Sequence, residues 1–328
     1  MPIEHPSRRR ALAIFACGAG AVVSSPAQAW LNADLQWQGT AMGADATIRF
    51  SGVGTAQARA TAAAAVAEID RLESALSLFR EDSEISHLNR IGAINAPSGD
   101  LRRALTLAVA VAKASGGLFD PTVQALWRAY VDWFASGEIT RMPSDAVVTA
   151  ALFRVDWRRI GITANRITLG SGQSITLNGL RQGYVTDRIA DLIRQRGIES
   201  VLINLGEQRA LGPRADGRSW RIARPGARPL MLRCGALATS EGAGCKFDAA
   251  GAAHHLFDPR SGHSAAIWRR ITVHHRSAAV ADALSTALYA ASADEIESLL
   301  PGLSGVSVWA TDADGCERRW TSPLASAR

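Results

Sequence analysis

The chain of 328 residues is 47% hydrophobic and carries a formal net charge of +6, almost all of it on arginine, since Lys113 and Lys246 are the only lysines. Its basic residues are scattered rather than clustered, which argues against a nucleic-acid partner. Beyond residue 29 no apolar run reaches the roughly 18 residues a membrane-spanning helix needs, so a soluble domain or two close-packed halves is expected.

The first segment reads as a targeting signal. Ser7-Arg-Arg-Arg10 precedes a weakly apolar Gly/Ala-rich stretch and then Ala27-Gln-Ala29. That order is charged region, apolar region and small-residue cleavage site, with a paired arginine of the twin-arginine export type. Residues 1–29 are therefore expected to be a signal peptide cleaved before Trp30, with 30–328 the exported, periplasmic domain; an uncleaved tail is the alternative. Cys234, Cys245 and Cys316 would remain, and an oxidising compartment permits one disulfide, with Cys234 and Cys245 the nearer pair in sequence.

In chain order, Ala46–Phe50 alternates as a strand and leads into an Ala-rich amphipathic helix ending near Leu76. Ser98-Gly-Asp100 caps a helix running to Lys113 and stopped by Gly116-Gly117, and a further helix over Val123–Phe134 follows Asp120-Pro121. Paired short strands are predicted at Arg166–Leu169 and Ser174–Leu177, then a helix from Tyr184 to Arg196 closed by Gly197. Strands follow at Val201–Leu205, Ser219–Ala223 and Ile271–His275, with a terminal hairpin turning at Asp314-Gly315. Strands close to hairpin turns, with helices in blocks, predict an α+β fold rather than a doubly wound parallel sheet.

Two features point to chemistry. From Ser277 to Ala293 the composition is helical and Asp282 is the one charge. At about 100° per residue Val280, Leu284 and Leu288 share a stripe, while Asp282 and Thr286 lie one turn apart on the other face. A solvated face would carry Lys, Arg or Glu, so this one faces something polar and enclosed. Two hard oxygens one turn apart suit Mg²⁺ or Ca²⁺; a buried, hydrogen-bonded Asp282 with Thr286 bonding back to its own helix is the competing reading. The second feature is glycine. Thr176-Leu-Asn-Gly-Leu-Arg-Gln-Gly183 opens a helix, and Asn204-Leu-Gly206 ends a strand, both places where backbone N–H groups can approach an anion.

Taken in order, eight stretches resemble the ApbE family of FAD:protein FMN transferases: Ala41-Met-Gly43, Phe79 to Asn89, Gly117-Leu-Phe-Asp-Pro121, Asn178-Gly-Leu-Arg-Gln-Gly-Tyr184 with Asp187, Asn204-Leu-Gly206, Ala236 to Ser240, His255-Leu-Phe-Asp-Pro-Arg-Ser-Gly262, and Ala281 to Thr286. The resemblance implies a T-fold-like two-part α+β architecture with antiparallel sheets and packed helices, FAD bound between the parts, and Mg²⁺ on the pyrophosphate. It implies metal contacts from the Gly179 carbonyl, Asp282 and Thr286, and FAD contacts from Met42, Phe79, Leu118, Phe119, Asp120 and Leu256. Thr176, Gln182, Asp258 and Arg260 complete the set of cofactor-binding candidates. Thr176, Asn178 and Gln182 depart from the family's usual Asp, Gly and Lys, and the Asn-Gly…Gln-Gly-Tyr form with Glu207 after Gly206 is similar to the NosX-type subset of nitrous oxide respiration.

The implied reaction is attack by a Ser or Thr hydroxyl of another protein on the FMN-side phosphorus of FAD, with AMP leaving. His255 is the candidate base, because its motif adjoins the Asp282 helix; packing against the flavin is its other possible role. The family's acceptors carry Ser/Thr-Gly-Ala-Ser/Thr, a pattern this chain lacks, so the flavin is expected to go to a partner. That partner is expected to be a periplasmic flavin-accepting domain of a membrane protein in nitrous oxide respiration. A non-catalytic flavin carrier and a Mg²⁺-dependent FAD pyrophosphatase are the alternatives.

Overall fold

The structure, a computed structural model, describes residues 35–137, 141–224 and 226–322; the expected signal peptide lies outside them. In chain order it contains β1 (Leu35–Ala41), β2 (Ala44–Phe50), α1 (Thr55–Leu76), α2 (Glu84–Ile91), β3 (Ala93–Asn95), α3 (Gly99–Ala114), α4 (Gln124–Ala135), α5 (Asp145–Leu152), β4 (Gly161–Ile162), β5 (Arg166–Thr168) and α6 (Arg181–Gln195). There follow β6 (Val201–Asn204), β7 (Gln208–Ala210), β8 (Trp220–Arg224), β9 (Ala227–Leu232), β10 (Gly235–Glu241), β11 (Arg270–His275), α7 (Ala278–Tyr289), α8 (Ala293–Leu299), β12 (Ser307–Thr311) and β13 (Glu317–Thr321).

Eight strands form one sheet in the order β1-β2-β6-β7-β10-β11-β12-β13, and every pairing in it is antiparallel. The α+β expectation holds. Period-two alternation in β10 sends Ala238 into the main core under the helices, and Leu237 to the opposite face against Trp220, Ile222 and Leu232 of the β8–β9 hairpin. Helix α1 buries Ala58, Ala62, Ala65, Ile69, Leu72 and Leu76, a stripe at helical spacing. A separate core joins Leu126, Tyr130 and Phe134 of α4 and Val148 of α5 to Phe247 and Phe257.

Helices α6 and α7 meet more closely than side chains allow. A Cβ on Gly183 would lie 2.3 Å from the Ala278 carbonyl oxygen and 2.7 Å from the Ala279 Cα. Only glycine fits. The contact is locked from both sides. The Gly183 N–H, in the first turn of α6, donates to Asp282 Oδ2 of α7 at 3.0 Å. Asp187 of α6 in turn accepts from the Ala278 N–H at 2.8 Å, the Ala279 N–H at 3.2 Å and the Ser277 hydroxyl at 2.6 Å, closing the N-terminus of α7. Each helix thus fills orphan donors of the other. Arg209 of β7 also pairs with Asp187.

Some expectations need correction. Ser174–Leu177 is extended but is no strand: Asn89 takes the role of a partner, donating to the Ile175 carbonyl at 2.8 Å and accepting from the Ile175 N–H at 2.7 Å. The Thr176 N–H goes to the Pro121 carbonyl at 2.7 Å. Helix α6 starts at Arg181, one turn before the expected Tyr184, because the Asp282 carboxylate caps it from a distance. No disulfide joins Cys234, Cys245 and Cys316 among the described residues.

Candidate active site

Between the main core and the α4–α5 core lies a cavity of about 320 Å³, within the range of small-molecule sites. Phe79, Leu118, Phe119, Trp127, Leu256 and Phe257 give it apolar walls, while Thr176, Gly179, Gln182, Ser240, Asp282 and Thr286 line its polar end. Of the residues singled out from sequence, Phe79, Leu118, Phe119, Asp120, Thr176, Gln182, His255 and Leu256 therefore share one cavity with Gly179, Asp282 and Thr286.

Met42, Asp258 and Arg260 do not line it. Met42 sits behind the wall at φ 52°, its N–H donating to Glu73 Oε1 at 2.6 Å. Arg260 grips Asp258 through Nε at 2.9 Å and Nη2 at 2.9 Å, and reaches Glu295 at 2.5 Å and the Ala290 carbonyl at 3.0 Å. This pair ties the Asp-Pro-Arg-Ser-Gly turn to α7 and α8. Asp120 faces the cavity while holding its own turn: Oδ1 accepts from the Thr122 N–H at 2.8 Å and Oδ2 from the Trp157 N–H at 3.0 Å.

At the polar end two hydroxyls of α7 take different partners. Ser285 bonds back to the Asp282 carbonyl at 2.9 Å, but Thr286 Oγ1 faces the Gly179 carbonyl at 3.5 Å and Ser240 Oγ at 3.4 Å. Gly179 is required here, since a Cβ would come within 3.0 Å of Thr286 Oγ1 and 3.1 Å of Phe119. One carbonyl, one carboxylate and one hydroxyl converge on a cavity wall, an all-oxygen set suited to a hard divalent cation. Among the described residues no group of three or more His, Cys, Asp and Glu side chains forms a metal cluster, so the fit rests on this mixed set.

The charge balance agrees. Burial pushes the Asp282 carboxyl up to about 7 despite the Gly183 N–H and the Arg181 charge, which pull it down. Glu207, also buried, is raised well above the carboxylate range by burial and by the Asp282 charge, and accepts from the Thr239 N–H at 3.3 Å. Two carboxylates facing one low-dielectric space lack positive charge on the cavity side, which a cation would supply. Arg181 lies behind Asp282, nearly fully buried, with no hydrogen-bond partner for Nε and Nη1 and its guanidinium 5.7 Å from the Phe79 ring centre. Burial lowers its pKa while Glu73 and Asp282 raise it; a guanidinium stays charged under that load. Sequence reasoning alone misses Glu207 and Arg181 as site residues. Their one signal is adjacency, the first following Gly206 and the second preceding Gln182.

His255 Nδ1 lies 3.1 Å from the Cys245 carbonyl, so Nδ1 carries the hydrogen and Nε2 the lone pair in the neutral ring. Burial lowers its pKa to about 4 against that hydrogen bond, leaving an uncharged imidazole at neutral pH.

Comparison with known proteins places these residues in context. The sequence signature of the ApbE family matches residues 42–309. The FAD:protein FMN transferase of Treponema pallidum is 26% identical over 269 residues, 73% of this chain and 73% of that protein. The one from Vibrio cholerae is 28% identical over 245 residues, covering 67% of this chain and 71% of its own. With the Haemophilus influenzae enzyme of the same name the alignment spans only 45% of each chain, at 25% identity. Among solved structures, the ApbE protein of Thermotoga maritima superposes with a TM-score of 0.77 at 24% identity, covering 88% of this chain and 97% of that one. The apo flavinyl transferase ApbE of Pseudomonas stutzeri gives 0.75 at 23% identity, over 90% and 97%. At such identities the structural likeness is one of fold.

Proposed function

This chain belongs to the ApbE family, and on that premise we propose that it is an FAD:protein FMN transferase. The observation that carries the reading is the union, in one cavity, of aromatic and apolar walls at Phe79, Leu118, Phe119 and Trp127 with the oxygen cluster of Gly179, Asp282 and Thr286. A flat aromatic ring system joined to a pyrophosphate needs both surfaces at that separation of character.

In the proposed reaction a Ser or Thr hydroxyl of the acceptor protein attacks the FMN-side phosphorus of FAD. A bond forms from the acceptor oxygen to that phosphorus, the bond from the phosphorus to the bridging pyrophosphate oxygen breaks, and AMP leaves carrying the bridging oxygen. Gly179, Asp282 and Thr286 would hold Mg²⁺, whose charge would offset that of the pyrophosphate. Gln182, uncharged, positions rather than neutralises; its side chain packs under Gly206, where a Cβ would come within 2.5 Å of it. His255 Nε2 is the proposed acceptor of the hydroxyl proton, in the neutral form that its low pKa maintains. A base this weak gains from being placed and unprotonated rather than from strength.

The signal-like residues 1–29 support export to the periplasm, and the Asn204-Leu-Gly-Glu207 form supports an acceptor in nitrous oxide respiration. The test is incubation of the purified chain with FAD, Mg²⁺ and a periplasmic flavin-accepting domain. Flavin covalently attached to the acceptor, with one AMP per flavin, is the expected result. Free FMN and AMP alone would make the chain a pyrophosphatase, and bound but unchanged FAD would make it a carrier.

A further inference from the structure

A second cavity, of about 180 Å³, lies against the β8–β9 hairpin, and three residues line both it and the first: Glu207, Thr239 and Glu241. The two spaces meet where the sheet is incomplete. Pairing of β7 with β10 ends at Gln208 opposite Leu237, and the next outward amide of β10, that of Thr239, donates to the Glu207 side chain at 3.3 Å instead of to a strand. A strand edge is thus stoppered by one carboxylate. Between Thr239 and Glu241 stands Ser240, which turns to the helix side and bonds Ser285 at 2.8 Å and Thr286 at 3.4 Å. The second cavity is therefore one strand's thickness from the oxygen cluster.

Its chemistry is selective. Arg224 is paired with Glu317 at 2.5 Å and Arg270 with Glu241 at 3.2 Å. The cleft's cations are already matched by carboxylates, so it offers no anion site for a second nucleotide. At about 180 Å³ it is little more than half the size of the first cavity, which favours small side chains. Exposed Thr239 and its neighbour Thr272, whose hydroxyls lie 3.0 Å apart, give a polar floor beside the β10 edge, which past Leu237 pairs with no further strand on this side among the described residues and whose Thr239 amide is held by Glu207. An extended segment can add to such an edge through its main chain.

We propose that this cleft receives the acceptor protein: an uncharged, extended segment of small residues lies along the β10 edge and delivers its Ser or Thr hydroxyl past Glu207 to the phosphate end of the first cavity. The assignment rests on the transferase reading above. It gives the two substrates separate approaches, with FAD held on the helix side of the sheet and the acceptor on the hairpin side.

Ala223, exposed on β8 and lining only the second cavity, provides the test. The probe is a carrier protein displaying a Ser-Gly-Ala-Thr loop, with FAD affinity read from flavin fluorescence and transfer read from covalent flavin on the carrier. Ala223→Trp should raise the carrier's KM by about tenfold or more while FAD affinity stays within about twofold. Ala223→Glu, which fills less but would have its charge stripped of water beneath an uncharged segment, should do the same and guards against a misfolded Trp variant. An unchanged carrier KM in both variants overturns the cleft assignment and leaves the transferase reading standing. A parallel loss of FAD affinity also overturns it, since the cleft would then belong to the FAD site. No transfer by the unaltered chain, with FAD still bound, overturns the transferase reading itself.

Discussion

Replacing Gly183 by alanine should separate the two helices that make the polar end of the cavity. The new methyl would sit 2.3 Å from the Ala278 carbonyl oxygen, against an ordinary carbon–oxygen contact of about 3.3 Å. Backbone is the obstacle on the α7 side, so no rotamer change relieves it, and α6 must shift by about 1 Å. The 3.0 Å bond from the Gly183 N–H to Asp282 then passes hydrogen-bonding distance. Losing a hydrogen bond to a charged group costs about 1.5–3 kcal/mol and overpacking about 1–3 kcal/mol. The better helix propensity of alanine returns up to about 1 kcal/mol. A net loss near 3 kcal/mol follows, a fall in Tm of roughly 4–5 °C for a chain of this size. Thermal unfolding should be followed by circular dichroism with and without Mg²⁺. Gly54→Ala is the control: no atom lies within 4 Å of the position its methyl would take and its φ is −65°, so it should change stability by less than about 1 kcal/mol. If Gly183→Ala melts within about 1 °C of the unaltered protein, the close helix contact is not what holds Asp282 in place.

Three further outcomes are expected. Asp282→Asn should lower flavin transfer by about 10²-fold or more and abolish any stabilisation by Mg²⁺ in a thermal-shift titration; a normal Mg²⁺ response would dismiss the metal assignment. His255→Asn should reduce kcat by about 10²- to 10⁴-fold at unchanged FAD affinity, whereas weakened FAD binding at normal kcat would mean that the ring only packs against flavin. Asp100 gives a pH signature: burial would raise its carboxyl, but hydrogen bonds from Arg103, Arg71 and Tyr184 outweigh that and hold it at about 2. Its contribution is complete above the unfolded value near 3.8 and is lost as pH falls towards 2. Discounted for the half-exposed arginines, about 1 kcal/mol is at stake. Asp100→Asn should flatten the acid limb of the stability curve measured by urea unfolding, and an unaltered limb would count against the assignment.

What the sequence disclosed and what it hid follow from the range of the forces involved. Helix α1 is legible from its buried stripe, and α3 from a buried stripe and a local cap; the Ser98 hydroxyl accepts from the Leu101 N–H at 3.1 Å, three residues away. The oddity of a lone Asp282 on an Ala-rich helix is also legible, as is the order of the glycine motifs. By contrast β7 and β3 have three residues each, too few for alternation to register, and they exist because neighbours supply their hydrogen bonds. Ser174–Leu177 reads as a strand because extended backbone and apolar alternation are local, whereas the Asn89 side chain that takes its hydrogen bonds is not. Arg181 and Glu207 are hidden for the same reason. A charged residue in or beside a glycine-rich turn usually points to solvent, and only the tertiary fold turns these two inwards.

The reciprocal capping of α6 and α7 bears on when the site comes into being. The bond from Gly183 to Asp282 spans 99 residues and that from Ala278 to Asp187 spans 91. Strands β6 to β11 lie between, so both loops must close before either helix end is complete. The amides of Gly183, Ala278 and Ala279 belong to one cooperative unit and should exchange with deuterium at a common, slow rate. A fragment ending before α7 would have the glycine loop and the aromatic wall, yet α6 would lack its carboxylate. The oxygen cluster therefore requires both closures and has no existence as a separable module.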